Sequence, residues 1–202
     1  KAQPGSIGTR WMLEKLMPGM RVKAIGPAGQ FTLDATARKK KYLFISAGSG
    51  VTPTLAMATY LYDRGTDIDV SIINCARRPG EIIGRRSLAA MASRVPSIKL
   101  TFIVEEGDPF QVWTGLRGRL NQIMIGIVAG DYLEREIYCC GPEPFMDAVR
   151  EMLIALGCDM DRYHQESFAA PVETAEGLPG DCQVDFACVR GLGLPVFRQS
   201  FR

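Results

Sequence analysis

The feature that most constrains this chain is a change of period at Tyr42. From there, short apolar runs alternate with amphipathic stretches, the pattern of strands and helices packed in layers. Tyr42-Leu43-Phe44-Ile45-Ser46 is a nearly continuous apolar run of strand length, so both of its faces must be covered, and Val70–Cys75 reads as a second buried strand. Leu100–Val104, Glu136–Cys140 and Tyr163–Phe168 repeat the pattern. Thr54–Asp63, Ser87–Arg94, Leu116–Met124 and Glu143–Leu156 read as the intervening helices. The last is the clearest, with Phe145, Met146, Val149, Met152, Leu153 and Leu156 on one face and Gly157 at its C′ position. Arg64-Gly65 closes the first helix in the same manner. The expectation is an α/β fold: a doubly wound parallel sheet of five strands, with its ligand at the carboxyl ends of the strands.

The flanks do not continue this pattern. Residues 1–38 supply a helix at Thr9–Met17, a stop at Pro18-Gly19, a strand at Met20–Ile25, a turn at Gly26–Gly29 and an extension at Phe31–Leu33. Arg38–Lys41 is a basic run that suits a solvated linker. Pro171, Gly177, Pro179 and Gly180 mark a second linker, followed by a strand at Cys182–Phe186 and irregular structure around Gly191–Pro195. The chain opens at Lys1 without a Met or an apolar leader and reads as a fragment or a processed product.

Composition removes several classes of function. With 24 basic and 22 acidic residues, the net charge of +2 gives no broad attraction for nucleic acid or an anionic membrane. No apolar run approaches the roughly 20 residues of a membrane helix. Six cysteines occur without a CxxC pair or the C-x4-C-x2-C cluster spacing, which argues against a zinc ribbon and for a reducing, cytoplasmic setting. No metal ligand set is legible.

Two strand exits carry chemistry. Gly48-Ser49-Gly50-Val51-Thr52-Pro53 leads from the first buried strand into a helix. Its glycines admit positive φ and close approach of a phosphate, Thr52 is placed to cap the helix, and Pro53 suits its first turn. The helix N-terminus then favours a diphosphate. Taken alone, this segment leaves an ordinary strand-to-helix turn equally open. Cys140-Gly141-Pro142-Glu143 is the second exit, on the same edge of the sheet. Gly141 would let a flat ring approach and Cys140 would pack against it, although a buried strand-end thiol accounts for Cys140 by itself. Strand alternation turns Cys139 to the other face. Arg77, Arg78, Arg85 and Arg86 follow the second strand, where such folds read a ribose or its phosphate, or where a solvated loop would simply carry charge. His164, the single His, has no companion ligand and reads as structural.

The order and separation of Gly48–Pro53, Cys140-Gly141-Pro142 and Glu166-Ser167-Phe168 resemble the ferredoxin-NADP reductase superfamily over about residues 4–168. Tyr163-His164-Gln165-Glu166-Ser167-Phe168, a linker and Cys182-Gln183-Val184-Asp185-Phe186 are similar, more closely, to the reductase components of Rieske-type monooxygenases, the glycine betaine monooxygenase reductases among them. The resemblance implies four parts: residues 1–38 as the end of an FAD-binding β-barrel, 39–168 as the NAD(P)-binding domain, 169–181 as a linker, and 182–202 as the truncated start of a 2Fe-2S ferredoxin-like domain.

It also implies roles. Thr9 would help hold the flavin pyrophosphate. Gly48, Ser49, Gly50, Val51, Thr52 and Pro53 would cradle the nicotinamide nucleotide, Arg77 would face its adenosine side, and Gly141 and Pro142 would lie beside the nicotinamide. Cys140 and Glu166 would be the catalytic pair near the rings, with Phe168 covering the flavin. The implied activity is hydride transfer from NADH to FAD, then single-electron transfer through a 2Fe-2S centre, present in the full-length protein only, to a Rieske-type oxygenase. The family's Arg-x-Tyr-Ser flavin motif and its ferredoxin cysteines do not occur here. Gly84 and Arg78 stand where NADH-using relatives often carry Phe and Thr, so NADPH stays open as the donor. A flavohaemoglobin-like or nitrate-reductase-like reductase, or a nucleotide-binding fragment without turnover, are the alternatives.

Overall fold

The computed structural model describes residues 7–25, 29–33, 41–65, 68–168, 181–188 and 195–199. The expected turn at 26–28, the basic run at 38–40, and the segments 169–180 and 191–194 lie outside them. In chain order the elements are α1 (Ile7–Lys15), β1 (Val22–Ile25), β2 (Lys41–Ala47), α2 (Val51–Arg64), β3 (Asp69–Ala76), α3 (Arg85–Arg94) and β4 (Ile98–Val104). There follow β5 (Leu116–Arg117), α4 (Gln122–Val128), β6 (Glu136–Cys140), α5 (Glu143–Ala155), β7 (Tyr163–Glu166), β8 (Asp181–Cys188) and β9 (Pro195–Gln199).

Residues 31–170 form one compact unit. Its sheet has six strands in the order β5-β4-β3-β2-β6-β7, every pair parallel. The five expected strands are all present. The sixth, β5, is a two-residue edge strand, inside the segment expected to be helical from Leu116 to Met124. That expectation is corrected. The helix there begins only at Gln122, because the Asn121 side chain accepts the Met124 N–H at 3.0 Å and fixes the N-terminus.

Alternation in the buried strands sorts side chains into two cores. Tyr42, Phe44, Val70, Ile72 and Tyr138 pack under α2 and α3, with Phe31 and Leu33 against them. Leu43, Ile45, Ile73, Ile137 and Cys139 pack under α4 and α5. Burial of each large apolar side chain contributes about 1.5–3 kcal/mol relative to exposure. At the amino-terminal edge of the sheet, Arg135 is 1% exposed. Its guanidinium bonds Asp131 at 2.6 and 3.0 Å, and donates to the Tyr42 and Asp69 carbonyls at 3.1 and 3.3 Å. Lys41 closes the network on Asp131 at 2.9 Å and on Glu134 at 2.7 Å.

Residues 1–30 and 171–202 form the other unit. β1 pairs antiparallel with β8, and β8 antiparallel with β9. Strands expected from two different domains thus lie in one three-stranded sheet, and β9 occupies a stretch with no readable period. α1 buries none of its residues.

Candidate functional site

β2 lies between β3 and β6, so the chain winds outward from it in both directions. That places a topological switch at the carboxyl end of β2, beside the carboxyl end of β6. Ser46 is the register partner of both Asn74 and Cys140, and Cys140 in turn pairs with Glu166 on β7. The structure therefore brings the Gly48–Pro53 segment, Cys140-Gly141-Pro142 and Glu166 to a single edge.

The two exits interlock. A Cβ on Gly50 would stand 2.1 Å from the Cys140 carbonyl oxygen and 2.6 Å from the Gly141 nitrogen. A Cβ on Gly141 would stand 2.8 Å from the Phe145 ring and 3.2 Å from the Ala47 Cβ. Gly50 is required for this close approach and not for positive φ, since its φ is −63°. Gly48 does adopt the left-handed region, at φ 56°, with nothing within 4 Å of where a Cβ would be.

Gly48–Gly50 form a 3-10 turn, and α2 begins at Val51 with Gly50 as its N-cap. The expected cap by Thr52 is corrected. Thr52 lies inside the first helical turn, and its hydroxyl donates to the Ser49 carbonyl at 3.0 Å. Because the tight turn continues directly into the helix, the Val51 N–H is already bonded to the Gly48 and Ser49 carbonyls. What remains for an anion is the positive end of a 14-residue helix beside an open backbone at Gly48 and an exposed Ser49. These residues fit a diphosphate.

Cys140 is 1% exposed. Burial pushes its thiol up to about 11, and the facing Glu166 carboxylate adds to this. Cys140 is thus a neutral, polarizable wall at neutral pH and not a thiolate nucleophile. Cys139, on the opposite face, is pushed up to about 12, first by burial. His164 approaches Glu136 at 3.1 Å, and its ring lies tilted by 30° against that of Tyr138 with centroids 4.7 Å apart. Phe168 is exposed, and Thr9 lies in α1, in the other unit.

Arg77 and Arg78 are exposed at the end of β3. Arg85 lies over the Trp113 ring at 5.4 Å. The Trp113 indole N–H donates to the Leu116 carbonyl at 3.0 Å, and Gly115 leaves room for the ring. Arg78 is paired with Glu106, a residue that the sequence reading passed over. The signal for it is the acidic pair Glu105-Glu106 at the exit of β4.

Residues 44–151 match the sequence profile of the oxidoreductase NAD-binding domain. The chain belongs to that family. Among curated relatives, this NAD-binding domain chain is 62% identical over 181 residues to the stachydrine N-demethylase reductase subunit Stc4 of Rhizobium meliloti, covering 90% of this chain and 51% of that protein. It is 41% identical over 169 residues to the glycine betaine monooxygenase reductase subunit of Pseudomonas aeruginosa, covering 83% and 46%. The chain thus spans about half the length of these relatives. Among solved structures, the ferredoxin reductase in carbazole 1,9a-dioxygenase superposes with a TM-score of 0.70 at 26% identity, over 83% of this chain and 49% of that one. The cytochrome P450 reductase GcoB of Amycolatopsis gives 0.71 at 20% identity over 82% and 50%, a likeness of fold alone.

Proposed function

We propose that this chain carries the nicotinamide-nucleotide domain of a flavin-dependent electron-transfer reductase that serves a Rieske-type oxygenase. The observation that carries the proposal is the interlock of Gly50 with the Cys140-Gly141 peptide at the switch point. It joins a diphosphate-type helix start to a flat, neutral wall, an arrangement suited to a dinucleotide ending in a planar ring. Gly48, Ser49 and Thr52 bind the diphosphate, and Arg77 faces the adenosine side. Gly141 and Pro142 admit the nicotinamide, Cys140 packs against it without competing as a base, and Glu166 holds negative charge at the edge of the ring site.

FAD, when bound, converts a two-electron hydride donor into a source of single electrons. In this reading residues 1–38 are the end of the flavin domain, with Thr9 and Phe168 directed to FAD, and 182–202 begin the 2Fe-2S domain. The names of the glycine betaine monooxygenase reductase subunit and of the ferredoxin reductase in carbazole 1,9a-dioxygenase support an oxygenase partner. Four buried free cysteines, Cys75, Cys139, Cys140 and Cys158, suit a reducing cytoplasm. Among the described residues no helix is long and apolar enough to cross a membrane.

The test is titration of the full chain with NADH, followed by addition of FAD and anaerobic NADH under a visible spectrum. Saturable NADH binding that weakens severalfold in Thr52→Val supports the nucleotide site, and bleaching of the flavin band supports electron transfer by this chain. A folded chain that does not bind NADH overturns the reading.

A further inference from the structure

We infer that Asn74 is a positioning residue of the nucleotide site: it ties Ser46, and through Ser46 the exit of β2, to β3, and so holds the Gly48–Gly50 turn in contact with the Cys140-Gly141 wall. The inference rests on the dinucleotide reading above and adds to it a residue outside the strand-exit motifs. Asn74 on β3 is the register partner of Ser46 on β2, Ser46 that of Cys140 on β6, and Cys140 that of Glu166 on β7. Ser46 lies two positions beyond Phe44, Asn74 two beyond Ile72, and Cys140 two beyond Tyr138; Phe44, Ile72 and Tyr138 share the core under α2 and α3. Strand alternation therefore turns Ser46, Asn74 and Cys140 to that same face, in one row across the sheet. Ser46 and Asn74 are 0% and 1% exposed. A polar pair is thus buried beside the wall, at the carboxyl ends of β2 and β3.

The Asn74 amide Nδ2 donates to Ser46 Oγ at 2.9 Å, and the Ser46 hydroxyl donates to the Ile73 carbonyl at 3.4 Å. Both bonds join β2 to β3. Ser46 is also the last residue of β2 in register with β6. Beyond it the two exits meet in the close approach of Gly50 to Cys140 and of Ala47 to Gly141. Close-packed contacts of this kind transmit small shifts, so the placing of the β2 exit decides whether the turn and the wall fit. Asn74 Oδ1 has no hydrogen-bond partner among the described residues. A buried acceptor left unpaired is costly, and an apolar side chain of similar shape avoids that cost. A core built for stability alone would carry leucine at this position, where the Ser46 hydroxyl could keep its bond to Ile73. The amide is kept against that cost because it serves the exit it holds, and a local rule broken beside a site points to function.

The experiment follows the full chain by melting temperature, NADH affinity and alkylation of Cys140, with Cys158, in the core on the opposite face, as the reference for global opening. Asn74→Leu should melt no lower than wild type. It should bind NADH about two- to tenfold more weakly, the worth of one net hydrogen bond, and Cys140 should label faster relative to Cys158. A merely structural amide would make affinity follow melting temperature and leave the Cys140:Cys158 labelling ratio unchanged. Asn74→Asp is the conservative rescue, and it carries the test if the leucine variant does not fold. At about pH 6 burial keeps its carboxyl neutral and able to donate to Ser46 as the amide does, so NADH affinity should match wild type; toward about pH 9 ionisation ends that bond and affinity should fall below wild type. Asn74→Leu that binds NADH as wild type does, or that loses affinity only in step with stability, overturns the inference, as does Asn74→Asp whose pH profile runs parallel to wild type. Folded wild type that binds no NADH removes the dinucleotide reading and this inference with it; wild-type binding that Asn74→Leu leaves intact removes this inference alone.

Discussion

Replacing Gly50 by Ala tests the central contact most directly. The added Cβ meets the Cys140 carbonyl oxygen at 2.1 Å, the carbonyl carbon at 2.3 Å and the Gly141 nitrogen at 2.6 Å. All three are backbone atoms at the end of a buried strand, so no side chain can swing aside. Real contacts of this kind essentially never fall under 3.0 Å, so the two exits must part by about 0.9 Å. Overpacking of this kind costs about 1–3 kcal/mol. At roughly 2–4 °C per kcal/mol for a chain of this size, the melting temperature should fall by about 2–12 °C.

The control is Gly48→Ala. It meets open space but must hold φ 56°, at a cost of about 1–2 kcal/mol. Both variants lose stability, but only Gly50→Ala separates the nucleotide turn from the Cys140 wall. A displacement near 1 Å at a reacting centre costs about a hundredfold in rate. Gly50→Ala should therefore show the larger loss of NADH binding, and of flavin reduction in the FAD-supplemented chain. Thermal unfolding and NADH titration on both variants decide the matter. A Gly50→Ala chain with unchanged melting temperature and NADH affinity would refute the interlock.

Arg135→Met should lower the melting temperature by about 6–20 °C, since removal of one partner of a buried charge network costs about 3–5 kcal/mol; a change under 2 °C would contradict the burial described. Asp131 is raised by its burial, yet bonds from Arg135 and Lys41 outweigh that and hold it at about 2. A depressed carboxyl stabilises the fold above its unfolded value and loses that contribution as pH falls toward the folded one. About 1–2 kcal/mol, after solvent screening, should be lost between roughly pH 5 and pH 2, and Asp131→Asn should flatten that part of the acid unfolding curve. Cys75, Cys139 and Cys140 lie near 11–12, all raised first by burial. Alkylation at neutral pH, mapped by mass spectrometry, should reach these three only on unfolding; rapid native labelling of Cys140 would show a thiolate that the geometry does not support.

The strands of the sheet were legible because residues such as Leu43–Ile45 are buried on both faces and mainly apolar, with Val70, Ile72 and Ile73 repeating this around a buried Ser71. Gly65 and Gly157 ended their helices as expected, at φ 58° and 77°. What stayed hidden depended on partners distant in sequence. Gly50 reads as a phosphate glycine until Cys140, ninety positions on, is seen to touch it. Arg135 stands in no motif, and its burial is visible only through its bonds to Tyr42, Asp69 and Asp131. Thr52 looks like a cap because the tight turn at Gly48–Gly50 cannot be told from a plain loop by composition. β5 is too short to leave a period. Arg78 reads as part of a basic cluster until its bond to Glu106 is seen.

The interlock of Gly50 with Cys140 also fixes when the nucleotide site can come into being. A nascent chain that has emerged as far as Val104 already contains the whole Gly48–Pro53 segment, three central strands and their helices. It still lacks the wall, because Cys140 and Gly141 follow Gly50 by some ninety residues and have not yet been made. A nicotinamide nucleotide held as proposed therefore finds no complete site during the early steps of folding. On the proposed reading it binds once β6 has closed beside β2, as a late seal on a sheet already assembled.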